Sequence, residues 1–160
     1  AGDVIAASES LASRRDWLTM VICGKNEKLF NKARAKFSAL PNVIVRGFVS
    51  DMENCCAAAD CAVMKPGGLS TSEALCCHLP MLLMSPIPGQ EELNLAWLAA
   101  NGAAQILVHA SKAASHAAKI LALDGAAASM REAAARLARP NAAADIIRKI
   151  IEITERGGTV

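Results

Sequence analysis

Five short apolar runs, each followed by a stretch of helix-forming residues, constrain this sequence more than any other feature. They are WLTMVIC (Trp17–Cys23), VIVR (Val43–Arg46), CAVM (Cys61–Met64), MLLM (Met81–Met84) and AQILV (Ala104–Val108). They are apolar on both faces, and strands of that kind need cover on both sides. Between them lie EKLFNKARAKFSAL, MENCCAAA, TSEALCCH and EELNLAWLAANG, all rich in helix formers. SESLASR near the start reads as another helix, and three more close the chain over 111–122, 126–138 and 142–154. Strand–helix alternation with short connections predicts an α/β domain, doubly wound and Rossmann-like in three layers. Its parallel sheet is expected to have about five or six strands with helices on both faces. All 160 residues fit one such domain, without internal repeat, low-complexity tract or interdomain linker.

Composition narrows the function classes. Seventeen basic residues stand against 15 acidic, aromatics make up 3%, and no basic stripe with interleaved aromatics is present. Nucleic acid is therefore not an expected partner. No apolar run reaches the roughly 20 residues that a membrane helix needs, and no secretory signal pattern opens the chain. The six cysteines, Cys23, Cys55, Cys56, Cys61, Cys76 and Cys77, form no C-x-x-C pair and read as buried small hydrophobes in a reducing compartment. His78, His109 and His116 lack ligand-like spacing, so no metal is expected.

Ligands of open parallel sheets sit beyond the carboxyl ends of the strands. The first four runs lead into GKN from Gly24, GFVSDM from Gly47, KPGGLSTSE from Lys65 and SPIPGQEELN from Ser85. Glycine and polar residues thus gather at four consecutive strand ends on one sheet edge. The third loop is the richest. Pro66 fixes its φ, Gly67 and Gly68 permit a tight turn and close approach to bare backbone, and a helix is expected to begin near Ser70. The free N–H groups and positive dipole end of that helix suit a phosphate, with Ser70, Thr71 and Ser72 as added hydroxyls. Ser70-x-x-Glu73 equally fits a capping box, in which both side chains serve only the helix end. In the fourth loop, Glu91 and Glu92 fall where the helix dipole favours acids. Gln90 is either a solvated side chain or a bracket for sugar hydroxyls. The P-loop and G-x-G-x-x-G spacings are absent, and Arg46-Gly47 stands where a dinucleotide site wants an acid, so a nicotinamide oxidoreductase is disfavoured.

Taken together, VICGKNEKL, VIVRGFVSDM, AADCAVMKPGGLSTSEAL and LPMLLMSPIPGQEELNLAWLAANGAA resemble the C-terminal half of GT-B glycosyltransferases over about 17–104. The likeness is to monogalactosyldiacylglycerol synthases and bacterial processive diacylglycerol glucosyltransferases, with the N-acetylglucosaminyltransferase of lipid II synthesis a more distant relative. It implies a donor domain for UDP-galactose or UDP-glucose. Backbone at Gly47, Phe48 and Val49 would hold the uracil, and Glu73 the ribose hydroxyls. Lys65, Pro66, Gly67, Gly68, Leu69, Ser70 and Thr71 would surround the diphosphate, with Gly24 and Asn26 also touching phosphate. Gly89, Gln90 and Glu91 would meet the hexose, supported by Asn94. The resemblance also implies an inverting reaction on a lipid acceptor such as diacylglycerol, with no cofactor and no metal.

The half that binds the acceptor and supplies the catalytic base has no counterpart here. The chain, opening at Ala1, is accordingly expected to be one domain of a longer enzyme, weak in donor binding and inactive alone. The full enzyme would sit peripherally on the cytoplasmic side of a membrane. Arg131, Arg136, Arg139, Arg148 and Lys149 offer a basic set there, and equally an ordinary solvated face. Other readings are a different GT-B-like sugar-nucleotide enzyme, such as a UDP-sugar epimerase, or a non-catalytic nucleotide-binding module.

Overall fold

A computed structural model describes residues 2–156. Its element order is α1 (Gly2–Ala12), β1 (Thr19–Ile22), α2 (Glu27–Phe37), β2 (Val43–Arg46), α3 (Met52–Ala57), β3 (Ala62–Met64) and α4 (Gly68–Cys76). Next come β4 (Met81–Leu83), α5 (Gln90–Ala100), β5 (Ala104–Ile106), a 3-10 turn at Ala110–Lys112, α6 (Ala113–Leu121), α7 (Ala127–Leu137) and α8 (Ala142–Arg156). Each apolar run contains its strand, whole at Val43–Arg46 and trimmed in the other four, and the helix read over 111–122 divides into the 3-10 turn and α6.

All the ladders are parallel. β1 pairs with β2 from Thr19–Val43 to Ile22–Arg46, while β4 lies between β3 and β5, with Ala62 and Ala104 both in register with Met81. The expected single sheet of five or six strands is thus five strands in two hydrogen-bonded groups. Strands of three or four residues make short ladders, and side-chain packing joins the two groups instead. Val4 of α1 packs against the apolar cluster around β1 and also against the one around β4.

β4 shows why its sequence is apolar throughout. Met81 and Leu83 face a cluster with Ala74 and Leu75 of α4, Leu98 of α5 and Ala133 and Ala134 of α7. Leu82 and Met84 face the opposite one, with Ala7 of α1, Ala117 and Ile120 of α6 and Met130 of α7. Alternate side chains serve opposite layers, so the three-layer expectation holds. Burying one such side chain stabilises the fold by about 1.5–3 kcal/mol. Around β1, a third cluster joins Val21 and Cys23 to Ile5 and to Leu29, Ala33 and Phe37 of α2. Asn42 ties the turn after α1 to the entry of β1, its amide donating to the carbonyls of Ala12, Arg14 and Trp17 at 3.1–3.3 Å.

The cysteines depart from expectation. Cys23 is buried, but Cys55, Cys56, Cys61 and Cys77 are half-buried and Cys76 is exposed. The six-residue α3 is too short to cover its own cysteines, and it presents no buried residue. On α8, Arg148 and Lys149 pair with Asp145 and Glu152 of the same helix at 2.9 and 3.1 Å, as a solvated face does. No helix among the described residues is long and apolar enough to cross a membrane.

Candidate functional site

The four strand-end loops fall into two pairs. In the first, the Gly24 N–H donates to Gly47 O at 3.1 Å, extending the β1–β2 ladder into the loops. Gly24 takes φ +56°, a conformation that favours glycine, so the turn from β1 into α2 depends on it. Asn26 caps α2, its side chain accepting from Leu29 N at 2.9 Å. Phe48 is 66% exposed. The Lys25 ammonium stands 5.5 Å from its ring centroid, and Val49 beyond it is half-buried.

The second pair gathers around the turn from β3 into α4. The helix begins at Gly68 with Gly67 as its N-cap, three residues before the Ser70 cap that Ser70-x-x-Glu73 suggests. Buried Pro66 fixes the approach, and a glycine cap needs no side chain. Ser70 therefore sits inside the first turn, Glu73 follows in the body of α4, and the capping box does not form. Neither a side-chain cap nor an acid occupies this helix start. Thr71 is buried and donates to the carbonyls of Gly67 and Gly68 at 2.9 and 3.2 Å, bracing the turn from behind. Ser72 donates to Gly68 O at 2.8 Å. Lys65, Leu69 and Ser70 are exposed at the same edge.

The loop after β4 meets this turn. Asn94 Nδ2 donates to Pro66 O at 3.0 Å, tying α5 to the loop before α4. A methyl group placed on Gly68 would lie 3.9 Å from Asn94 Nδ2 and 4.0 Å from Gln90 Nε2, and one on Gly67 would lie 3.9 Å from Glu91 Oε1. Gln90, Glu91 and Asn94 therefore line the gap that the glycines leave. Glu91 and Glu92 also hold their own loop, accepting from Ile87 N at 2.8 Å and Gly89 N at 3.0 Å. Gly89 itself takes φ +101°.

Two features of this edge escaped sequence reasoning. Ser85, at the end of β4, adopts φ +50°, uncommon for a residue with a side chain, and its hydroxyl donates to Asp3 Oδ2 of α1 at 2.6 Å. The sequence signal was the serine before Pro86; its partner, 82 positions away, carried none. The second is the neighbourhood of half-buried Glu73. Burial, then Cys77, then the Glu73 carboxylate push the Cys56 thiol up to about 11. Cys61 is pushed up to about 12, again by burial first. Among the described residues, no group of three or more His, Cys, Asp or Glu side chains is placed to hold a metal ion. A hollow of about 450 Å³ between Asp60 and Arg131 lies away from the glycine edge, which is an open face.

Chemically, the edge offers a helix N-terminus with bare backbone, amide side chains at its flank and a carboxylate in the body of the same helix. The first suits a diphosphate, and the others suit hydroxyl groups. Comparison with known proteins identifies the family. The family model described as "Glycosyl transferases group 1" matches residues 2–137. The chain is 31% identical over 152 residues to a processive diacylglycerol beta-glucosyltransferase of Bacillus thuringiensis (strain Al Hakam), covering 94% of this chain and 39% of that protein. It is 36% identical over 146 residues to a probable chloroplastic monogalactosyldiacylglycerol synthase 3 of Oryza sativa subsp. japonica, covering 88% of this chain and 28% of that one. The chain thus spans less than half the length of these curated relatives. With residues 2–137 matched by the family model, the chain belongs to the group 1 glycosyltransferases.

Proposed function

We propose that this chain is the donor-binding half of an inverting UDP-hexose glycosyltransferase whose acceptor is a lipid such as diacylglycerol. The observation that carries the reading is the start of α4, where Gly67 and Gly68 leave the first N–H groups without a side-chain cap or an acid in the helix's own first turn. A diphosphate there meets backbone donors and the positive end of the helix dipole. Glu73 takes the ribose hydroxyls as a charge-assisted acceptor. The backbone at 47–49 receives the uracil, Gly24 and Asn26 reach the phosphates, and Gln90, Glu91 and Asn94 meet the hexose.

Transfer then breaks the bond between the sugar and the diphosphate, and negative charge develops on departing UDP. Preorganised N–H dipoles are matched to that charge, so the reading assigns this role to the protein and requires neither metal nor cofactor. The catalytic base and the acceptor site belong to the part of the longer enzyme outside this chain, which attaches peripherally at the cytoplasmic face of a membrane. The relatives' names support a hexose donor and the bare start of α4 supports a diphosphate; the choice between galactose and glucose lies with residues that meet the hexose. Titrating the chain with UDP by calorimetry tests the reading: saturable heat in the micromolar to millimolar range is expected, and no response at millimolar UDP overturns it.

A further inference from the structure

Two pairs of adjacent cysteines flank the contact between α3 and α4, and the glycosyltransferase reading uses none of them. α3 and α4 pack against one another. Cys77 follows the last residue of α4, and its sulfur lies 3.8 Å from the carbonyl oxygen of Glu53 in α3. In a helix that oxygen points along the axis toward the residues three and four positions on, here Cys56 and Ala57. Cys56 and Cys77 also pack against the same apolar cluster, around Met81 and Leu83. The interaction between the two thiols is close enough to raise the Cys56 pKa through both charge and hydrogen bonding, after the larger effect of burial. Neither residue is fully buried, so a small reagent has access. Cys55 and Cys76 are next to them in sequence, but helical geometry turns adjacent side chains about 100° apart, so the two pairs are not equivalent.

We propose that Cys56 and Cys77 form a cross-helix dithiol site that a small disulfide oxidant, of the class of oxidised glutathione, closes into an intramolecular disulfide. The Cys77 thiolate attacks one sulfur of the oxidant, forming a mixed disulfide and expelling one glutathione thiolate. Cys56, on losing its proton, attacks the Cys77 sulfur of that mixed disulfide and expels the second. Two protein thiols and one glutathione disulfide become one protein disulfide and two glutathione thiols. Cys77 takes the first step because burial keeps Cys56 protonated. The closed segment contains β3, the Gly67–Gly68 turn and Glu73, so the site brackets the donor loop without depending on what that loop binds.

The test is oxidation of the folded chain with oxidised glutathione, followed by alkylation of free thiols and cleavage after Glu53 and Glu73, which separates the two cysteines. The expected product has lost two hydrogens, carries no glutathione and yields a crosslinked peptide pair joining Cys56 to Cys77 that dithiothreitol reverses. Cys56→Ser and Cys77→Ser should each slow formation of that crosslink at least tenfold, whereas Cys55→Ser and Cys76→Ser leave it unchanged. Stable glutathione adducts without a crosslink, or a crosslink made through Cys55 or Cys76, overturn the proposal. The mapping on the unsubstituted chain decides this even where a variant, checked by circular dichroism, fails to fold.

Discussion

α4 and α5 both begin after a glycine at the end of a parallel strand, yet their first turns are built in opposite ways. α5 carries Glu91 and Glu92 in its first turn, and their carboxylates accept N–H groups of the loop that leads into the helix. α4 carries no acid in its first turn, and its cap Gly67 has no side chain to offer. Positive potential at the start of α5 is met by carboxylates of that helix, whereas α4 has none in its own first turn and Glu91 of α5 stands beside Gly67. α2 resembles α5 in this respect, because Asn26 satisfies one of its free N–H groups. α3 carries Glu53 in its first turn. Of these four helix starts at the loop edge, α4 is the one with neither a side-chain cap nor an acid in its own first turn.

The largest expected effect comes from making α4 resemble α5. Gly68→Asp has room, since a side chain there meets only Asn94 and Gln90 at ordinary contact distance. An acid in the first turn should stabilise the helix by about 0.3–1 kcal/mol through the dipole. It should also repel a diphosphate and weaken UDP binding at least about tenfold, or about 1.4 kcal/mol. Melting temperature and UDP affinity are therefore expected to move in opposite directions. A variant that binds UDP as well as the parent breaks the comparison.

Glu73→Ala comes next. Glu73 lies inside α4 and caps nothing, so calorimetry should show UDP affinity reduced several-fold while the melting temperature changes little. A large fall in melting temperature with unchanged UDP binding would return Glu73 to a structural role. Glu92→Ala should do the reverse of Glu73→Ala. Losing the acceptor for Gly89 N should cost about 0.5–1.5 kcal/mol on denaturant unfolding, with UDP affinity unchanged.

A separate effect, seen only in alkali, concerns two of the thiols. The Cys56 and Cys61 pKa values are raised in the fold from 9.0, to about 11 and about 12. The folded chain therefore holds these protons more tightly than the unfolded chain. Their contribution is fully present below pH 9 and is lost as pH rises toward 11 and 12. Melting curves should show stability declining through that window, and Cys61→Ala should flatten the decline. An unchanged slope in that variant would remove Cys61 as its source.

Much of this was legible in the sequence because it was encoded locally. Val43–Arg46 is a strand over the very residues its β-branched run marks, and apolar Met81–Leu83 forms the central strand of its group. The gathering of glycine and polar residues at strand ends was equally legible, since parallel connectivity alone puts those ends on one edge. The start of α4 was read two residues late. Ser70-x-x-Glu73 imitates a capping box, whereas the true cap is a glycine, which leaves no side-chain signature. The division of the strands into two groups, with α1 residues packed in the clusters of both, is a tertiary outcome that no local pattern carries. The hydrogen bond from Ser85 to Asp3 and the approach of Cys77 to α3 escaped for the same reason. Likewise, α8 read as a helix, but nothing local announced that Ile146, Ile147, Ile150, Ile151 and Ile153 would all be exposed.

The most direct test of the contrast between the two helix starts is an NMR titration of the backbone amides with UDP and then with UDP-hexose. UDP should shift the amides of Gly68, Leu69 and Ser70 strongly and those of Gln90, Glu91 and Glu92 little, with the second set responding once the hexose is attached. Shifts confined to the start of α5, or none at either helix at millimolar UDP, would contradict the assignment of the anion site to α4.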